Sequence, residues 1–215
     1  MILESIVTTV SPEGEVNIAP MGPIVQEDTV QKETVQDETT ESNTRDCCLS
    51  FLLRPYQGSR TCRNLLATGR AVIHVTDDAL LLARAAIGRV DPEGLVCPVD
   101  ELSAEYVRLI DCHRWFAVKV IKKGGDPPRH ELTAISVADG IVRPFFGFNR
   151  AKHAVIEAAI IATRIGMIDE ATIRDDMKRL RVPVEKTAGP DERSAFEMVD
   201  AFIEQRLSGS PESEG

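Results

Sequence analysis

The sequence predicts a mainly β protein of the α+β class, a small barrel followed by a helical subdomain. Three observations carry this. Short runs rich in Val, Ile and Thr recur through the first 147 residues, bounded by Gly- and Pro-bearing turns. Their connections are mostly of the hairpin kind with brief helices between them, which favours a barrel over a doubly wound sheet. From Asn149 onward the apolar spacing becomes wholly helical. The chain divides accordingly into a barrel domain over 1–147, helices over 148–207 and a tail over 208–215.

Ile2–Val10 and Val16–Pro20 read as a hairpin joined by Ser11-Pro12-Glu13-Gly14, whose Ser, Pro and Gly occupy positions that a type I turn favours. Pro20, Gly22 and Pro23 then interrupt regular pairing, so the second strand is expected to end in an irregular crossing. Gln26–Asp46 is almost entirely Glu, Asp, Gln, Thr and Ser, with seven acids against two bases. It has too little apolar content to offset its ordering entropy and reads as an extended or disordered acidic insertion.

Cys48–Arg54 is the next strand. Arg60–Thr68 reads as a short helix stopped by Gly69, and Ala71–Val75 as a strand. Thr76-Asp77-Asp78 caps a second helix that runs through Ala86 and ends at Gly88. Ala104–Cys112 has apolar spacing compatible with a helix. Trp115–Lys122 and His130–Ala138 are strands joined across GGDPP, and helices follow over Arg150–Ile165, Glu170–Leu180 and Asp191–Leu207. Pro183 and Gly189-Pro190 are read as breaks between them. The first of these helices is apolar on most sides, with a narrow polar stripe at Arg150, His153, Glu157 and Arg164.

A net charge of −9 argues against a nucleic-acid binder, which needs a basic face to displace phosphate counterions. No run of 18 apolar residues occurs, and MILESIVTTV lacks the basic start and long apolar run of a secretory signal. A cytoplasmic protein is the expectation. The five cysteines, Cys47, Cys48, Cys62, Cys97 and Cys112, form no CxxC pair, so free thiols are expected and no metal site. The signatures GxSxG, HExxH, GxGxxG and the Walker loop are absent. His74, His113, His130 and His153 are scattered and read as structural.

Two segments point to chemistry. In Val16–Gly22 a strand ends in Pro and Gly, exposing backbone polar groups beside small side chains where a flat ring can approach. In Arg54–Leu65 a Gly turn leads into a helix N-terminus carrying Ser59 and Thr61, with Arg54, Arg60 and Arg63 close by. Free N–H groups, hydroxyls and guanidinium forks suit a phosphate monoester. Ser59 or Thr61 reads equally as an ordinary helix cap.

The order Asn17-Ile18-Ala19-Pro20, Thr61-Cys62-Arg63-Asn64-Leu65, Thr68-Gly69-Arg70-Ala71-Val72 is similar to flavin-reductase-like split barrels. More closely, ESIVTTVSPEGEVNIAPMG, GSRTCRNLLATG, VTDD and FNRAKHAVIEAAIIATR resemble an uncharacterised archaeal and bacterial family, the domain-of-unknown-function family 447. That resemblance implies a six-stranded split barrel with FMN held at a homodimer interface, plus C-terminal helices. It assigns Ser59, Arg60, Thr61 and Asn64 to the phosphate-and-helix segment, and Asn17, Pro20, Met21 and Gly22 to the strand end against the ring. Asn149 and Arg150 fall in the distinctive helical motif.

FMN carries its own hydride chemistry, so the protein need supply only orientation, phosphate grip and electrostatics. Trp115, Tyr56 and Phe51 are the aromatic candidates for contact with the ring. The resulting expectation is an FMN-dependent oxidoreductase moving hydride between a nicotinamide or deazaflavin donor and an acceptor. The alternative is a non-catalytic flavin-binding or assembly protein.

Overall fold

The computed structural model describes residues 1–26, 49–100, 102–125 and 128–209. The expected acidic insertion, past Gln26, and the tail from 210 lie outside the described residues.

Strands β1 (Ser5–Val10) and β2 (Val16–Met21) form the expected hairpin, in register from Val10–Val16 to Ser5–Met21. Gly14 closes the turn at φ +91°, its N–H donating to the Ser11 carbonyl over 2.9 Å. Beyond Gly22-Pro23 the chain resumes as β3 (Ile24–Gln26). The isolated Ile2–Ile24 bridge keeps the same register as Ser5–Met21, three residues further along each strand. β2 and β3 are therefore two halves of one strand kinked at Gly22-Pro23, a correction to the irregular crossing that the sequence suggested.

The kink makes the barrel. β3 pairs with residues 1–3 on one edge, through Leu3 N–H to Pro23 O at 2.9 Å, and with β4 (Ser50–Leu53) on the other. β5 (Arg70–Val75), β8 (Arg114–Gly124) and β9 (Glu131–Ile141) complete an antiparallel sheet in the order β2-β1-β5-β8-β9-β4-β3. The sheet closes at the β3 end, while β2 stays with β1 and leaves β4. That is a split barrel.

Alternation along the strands fills the interior with Val7, Phe51, Leu53, Ile73, Phe116, Val118 and Leu132. Helix α1 (Arg60–Thr68) adds Leu65 to this core and packs on β1, β2 and β5. Outside, α2 (Ala79–Ile87) lays Leu81, Leu82 and Ala85 on Ile6 and Ile18. The β6 (Val96–Pro98) and β7 (Val107–Leu109) ribbon brings Val99 and Tyr106 over Val72 and Ala117.

The ribbon overturns the helical reading of Ala104–Cys112. Val107–Leu109 pairs with Val96–Pro98, and Leu109 N–H donates to His74 Nε2 at 3.0 Å, a pairing with distant residues that outweighs local helical spacing.

Helices α3 (Arg150–Ala162), α4 (Glu170–Thr187) and α5 (Pro190–Leu207) share an apolar cluster with Ala79 and Ala83 of α2, so they pack on the barrel domain's own helix. Helix α3 ends at Ala162 rather than Ile165. Helix α4 runs straight through Pro183, contrary to the expected break. Met177 and Val184, buried on either side of the proline, hold the turn in place by tertiary packing.

Candidate functional site

The proposed anion segment begins where β4 leaves the barrel. Tyr56 bridges Arg129, Gly58 turns at φ +85°, and α1 starts at Arg60. Ser59 is the N-cap: its Oγ accepts from Cys62 N–H at 3.1 Å. The Thr61 hydroxyl accepts from Asn17 Nδ2 at 3.0 Å, and Asn64 Nδ2 donates to Thr9 Oγ1 at 3.0 Å. All four of these latter residues are buried, so Asn17, Thr61 and Asn64 dock α1 onto the β1–β2 hairpin.

The structure thus assigns structural partners to Ser59, Thr61 and Asn64, three of the side chains picked out from the sequence. Arg54 is also engaged, with Glu131 accepting its Nε–H at 3.0 Å and its Nη2–H at 2.5 Å. What remains for an anion is Arg60 and Arg63, which make no ion pair among the described residues, although Arg63 Nη1 donates to Gly58 O at 2.7 Å. Both line a groove of about 270 Å³ between α1 and the β1–β2 turn, where Asn17 and Asn64 contribute polar walls and Glu13 and Glu15 carboxylates.

Pro20 and Met21 are half-buried at the far end of β2, and a Cβ on Gly22 would meet Ile2 Cγ2 at 2.9 Å. A side chain at this position would therefore displace the exposed Ile2 side chain. Asn17 lies near the opposite end of β2, beside α1, so the groove and the Pro20–Gly22 kink sit at the two ends of one strand.

Asn149 and Arg150 stand elsewhere, at the start of α3. Asn149 Oδ1 caps the helix through Ala151 and Lys152 N–H, and its Nδ2 donates to Thr187 O at 3.0 Å, tying α3 to the end of α4. Arg150 is exposed.

Of the aromatic candidates, Phe51 is sealed in the barrel and Trp115 is packed so closely on Gly140 that a Cβ there would come within 2.8 Å of the indole. Phe51 is thereby removed as a ring partner. Tyr56, at 55% relative exposure, stays open to solvent, and Phe145, Phe146 and Phe148, at 54%, 97% and 88%, are further exposed aromatics that the sequence reading did not single out. Three of the seven phenylalanines falling within four residues was the signal available in the sequence.

Phe145 and Phe148 border a second cavity of about 120 Å³ with Thr76, Asp78, Lys152 and His153. Its base is an ion cluster on Asp77. Oδ1 meets His113 Nε2 at 3.0 Å and accepts from Arg143 Nη2 at 2.5 Å; Oδ2 accepts from Lys152 Nζ at 2.6 Å. Burial opposes the Asp77 charge, but the hydrogen bonds from Lys152 and Arg143 outweigh it and hold the carboxyl well below the usual range. The buried Cys112 thiol nearby in sequence is pushed up to about 11, chiefly by burial, which leaves it unreactive.

Family models for a protein of unknown function, DUF447, match residues 3–143 with the N-terminal domain and residues 149–200 with a second model. The chain belongs to the DUF447 family. An FMN-bound protein of this family from Methanosarcina mazei is 20% identical, with a TM-score of 0.72 over 94% of each chain, and shares the fold of this DUF447 protein. Other solved structures match over about two thirds of the chain. Flavoredoxin from Methanosarcina acetivorans is 10% identical over 67% of this chain and 74% of its own, at a TM-score of 0.46. Nitrilotriacetate monooxygenase component B from Bacillus cereus is 15% identical over 66% and 70%, at 0.47. Among the described residues no helix is long and apolar enough to cross a membrane.

Proposed function

We propose that this DUF447 protein binds FMN and acts as a flavin-dependent oxidoreductase, with a nicotinamide or deazaflavin as hydride donor. The observation that carries the reading is the FMN-bound family member that shares its fold over 94% of both chains. FMN, when bound, supplies a ring that accepts and returns hydride. A homodimer with the flavin between barrels is part of the same proposal, and the side of β2 that leaves β4 gives it an open edge.

The residues at hand fit the phosphate of such a group. Arg60 and Arg63 stand one helical turn apart at the start of α1, where the helix dipole also favours an anion. Thr61, Asn64 and Asn17 act one step back, fixing the helix that presents those guanidiniums. Pro20 to Gly22 offer backbone and small side chains to a flat ring.

The test begins with the absorption spectrum of the purified protein with and without added FMN. A protein that neither carries nor takes up flavin would sink the reading. Arg60→Ala combined with Arg63→Ala removes the charged donors while leaving Thr61 to hold Asn17. Each charge-assisted bond is worth about 1.5–3 kcal/mol, so FMN binding is expected to fall at least about ten-fold more than riboflavin binding. Equal losses would place the phosphate elsewhere. Loss of the yellow colour on anaerobic addition of reduced nicotinamide or deazaflavin supports turnover; a bound flavin that neither bleaches supports the non-catalytic alternative.

A further inference from the structure

Charge is strongly segregated in this protein. The whole chain is −9, yet residues 54–70 carry Arg54, Arg60, Arg63 and Arg70 and no acid. The β8–β9 hairpin adds Lys119, Lys122, Lys123 and Arg129. The fold brings these two stretches to one end of the barrel. Tyr56 bridges Arg129, Gln57 N–H donates to Pro128 O at 2.9 Å, Lys123 Nζ donates to Leu66 O at 2.8 Å, and Arg70 pairs with Lys119 in register.

Among the described residues, neutralisation there is slight. Arg54 is matched by Glu131 and Arg70 by Glu105. Arg60, Arg63, Lys119, Lys122, Lys123 and Arg129 make no ion pair among the described residues, and all but Arg60 are exposed. Among the described residues, the acids that share the groove with Arg60 and Arg63 are Glu13 and Glu15 on the β1–β2 turn.

The shape of this surface selects the ligand. Lys122, Lys123 and Arg129 line neither of these two cavities and are exposed on the β8–β9 hairpin, so they do not converge on one small anion as a phosphate site would require. Long, solvated side chains spread over three elements instead match a surface of opposite sign. A partner with a compact acidic face would be steered onto this end over about a Debye length, some 8–10 Å. A long nucleic acid would also run against the negative remainder of the molecule. We propose that the basic end formed by α1 and the β8–β9 hairpin is a docking surface for an acidic protein.

The proposal goes beyond the flavin reading and is tested apart from it. The probes are a fluorescein-labelled deca-glutamate peptide and a single-stranded oligothymidylate, followed by fluorescence anisotropy on the full chain at low and physiological salt. The peptide is expected to bind, and to weaken as salt rises. K122E/K123E/R129E is expected to reduce peptide affinity by at least about ten-fold, with the neutral K122Q/K123Q/R129Q between it and the wild type. All three positions lie outside the groove at Arg60, so FMN binding is expected to be the same in each variant. No peptide binding, or binding unaltered by charge reversal, overturns the proposal. Tighter binding of the oligothymidylate than of the peptide overturns it in favour of a nucleic-acid surface. A protein that takes up no flavin but shows the peptide response would sink the oxidoreductase reading alone.

Discussion

His74 is the buried polar residue whose chemistry is most fully determined. It sits on the outer face of β5 beneath the β6–β7 ribbon, fully enclosed. Leu109 N–H donates to Nε2, so the ring proton is on Nδ1 and is given to Ile6 O at 3.0 Å. Both nitrogens are used only when the imidazole is neutral, and burial lowers its pKa to about 4 from the usual 6.5. The unfolded chain therefore binds a proton that the folded one refuses between those two values. Stability from this residue is complete above pH 6.5 and is lost as pH falls toward 4, to the extent of roughly 3 kcal/mol. Urea unfolding measured from pH 7.5 to 4.5 is expected to show that slope, and His74→Gln, which keeps an amide donor and acceptor, is expected to flatten it. An unchanged slope in the variant would mean that other groups govern the acid response.

At the scale of elements, Asp77 joins parts of the chain that share little else in sequence. It lies just before α2 and takes Arg143 from the end of the barrel domain, Lys152 from the first turn of α3, and His113 from the start of β8. Asp77→Ala leaves Lys152 and Arg143 without their principal counter-charge. All three side chains keep some contact with water, so the expected loss is only on the order of 1–2 kcal/mol. Hydrogen exchange is expected to quicken in the first turn of α3 and over 143–149, with the barrel strands unaffected. A uniform change across the chain would show that Asp77 supports general stability rather than this joint. The sequence disclosed elements with local punctuation far better than this junction. Ser59 and Gly69 frame α1, Asp78 and Gly88 frame α2, and Gly189-Pro190 opens α5, all from short-range capping chemistry. Val107–Leu109 escaped because its partners are the distant Val96–Pro98 and His74, and β3 and β6 because three residues carry almost no period. The candidate site was legible in the same partial way. Arg60 and Arg63 remain available to an anion, whereas the Ser59 hydroxyl caps its own helix and the Thr61 hydroxyl and Asn64 amide are taken by Asn17 and Thr9, contacts that only the folded hairpin creates.

The whole molecule depends on one closure that is easily tested. β3 is held by a three-residue ladder to β4 on one side and, on the other, by the isolated Ile2–Ile24 bridge with the bonds Leu3 N–H to Pro23 O and Val25 N–H to Met1 O. Leu3→Pro deletes the N–H that reaches Pro23 O and adds a ring beside Ile2, which packs close to Gly22. The lost bond and the added ring are expected to release β3 while the interior of Val7, Ile73, Phe116 and Leu132 still packs β1, β5, β8 and β9 together. The expected pattern in hydrogen exchange is therefore graded: faster exchange in β3 and β4, little change in β8 and β9. Because Pro20–Gly22 is the segment proposed to border the flavin ring, the same variant is expected to weaken riboflavin and FMN alike, unlike the Arg60 and Arg63 replacements. Exchange that quickens equally in all strands would mean that the barrel opens as one unit and that the kinked strand is not its seam.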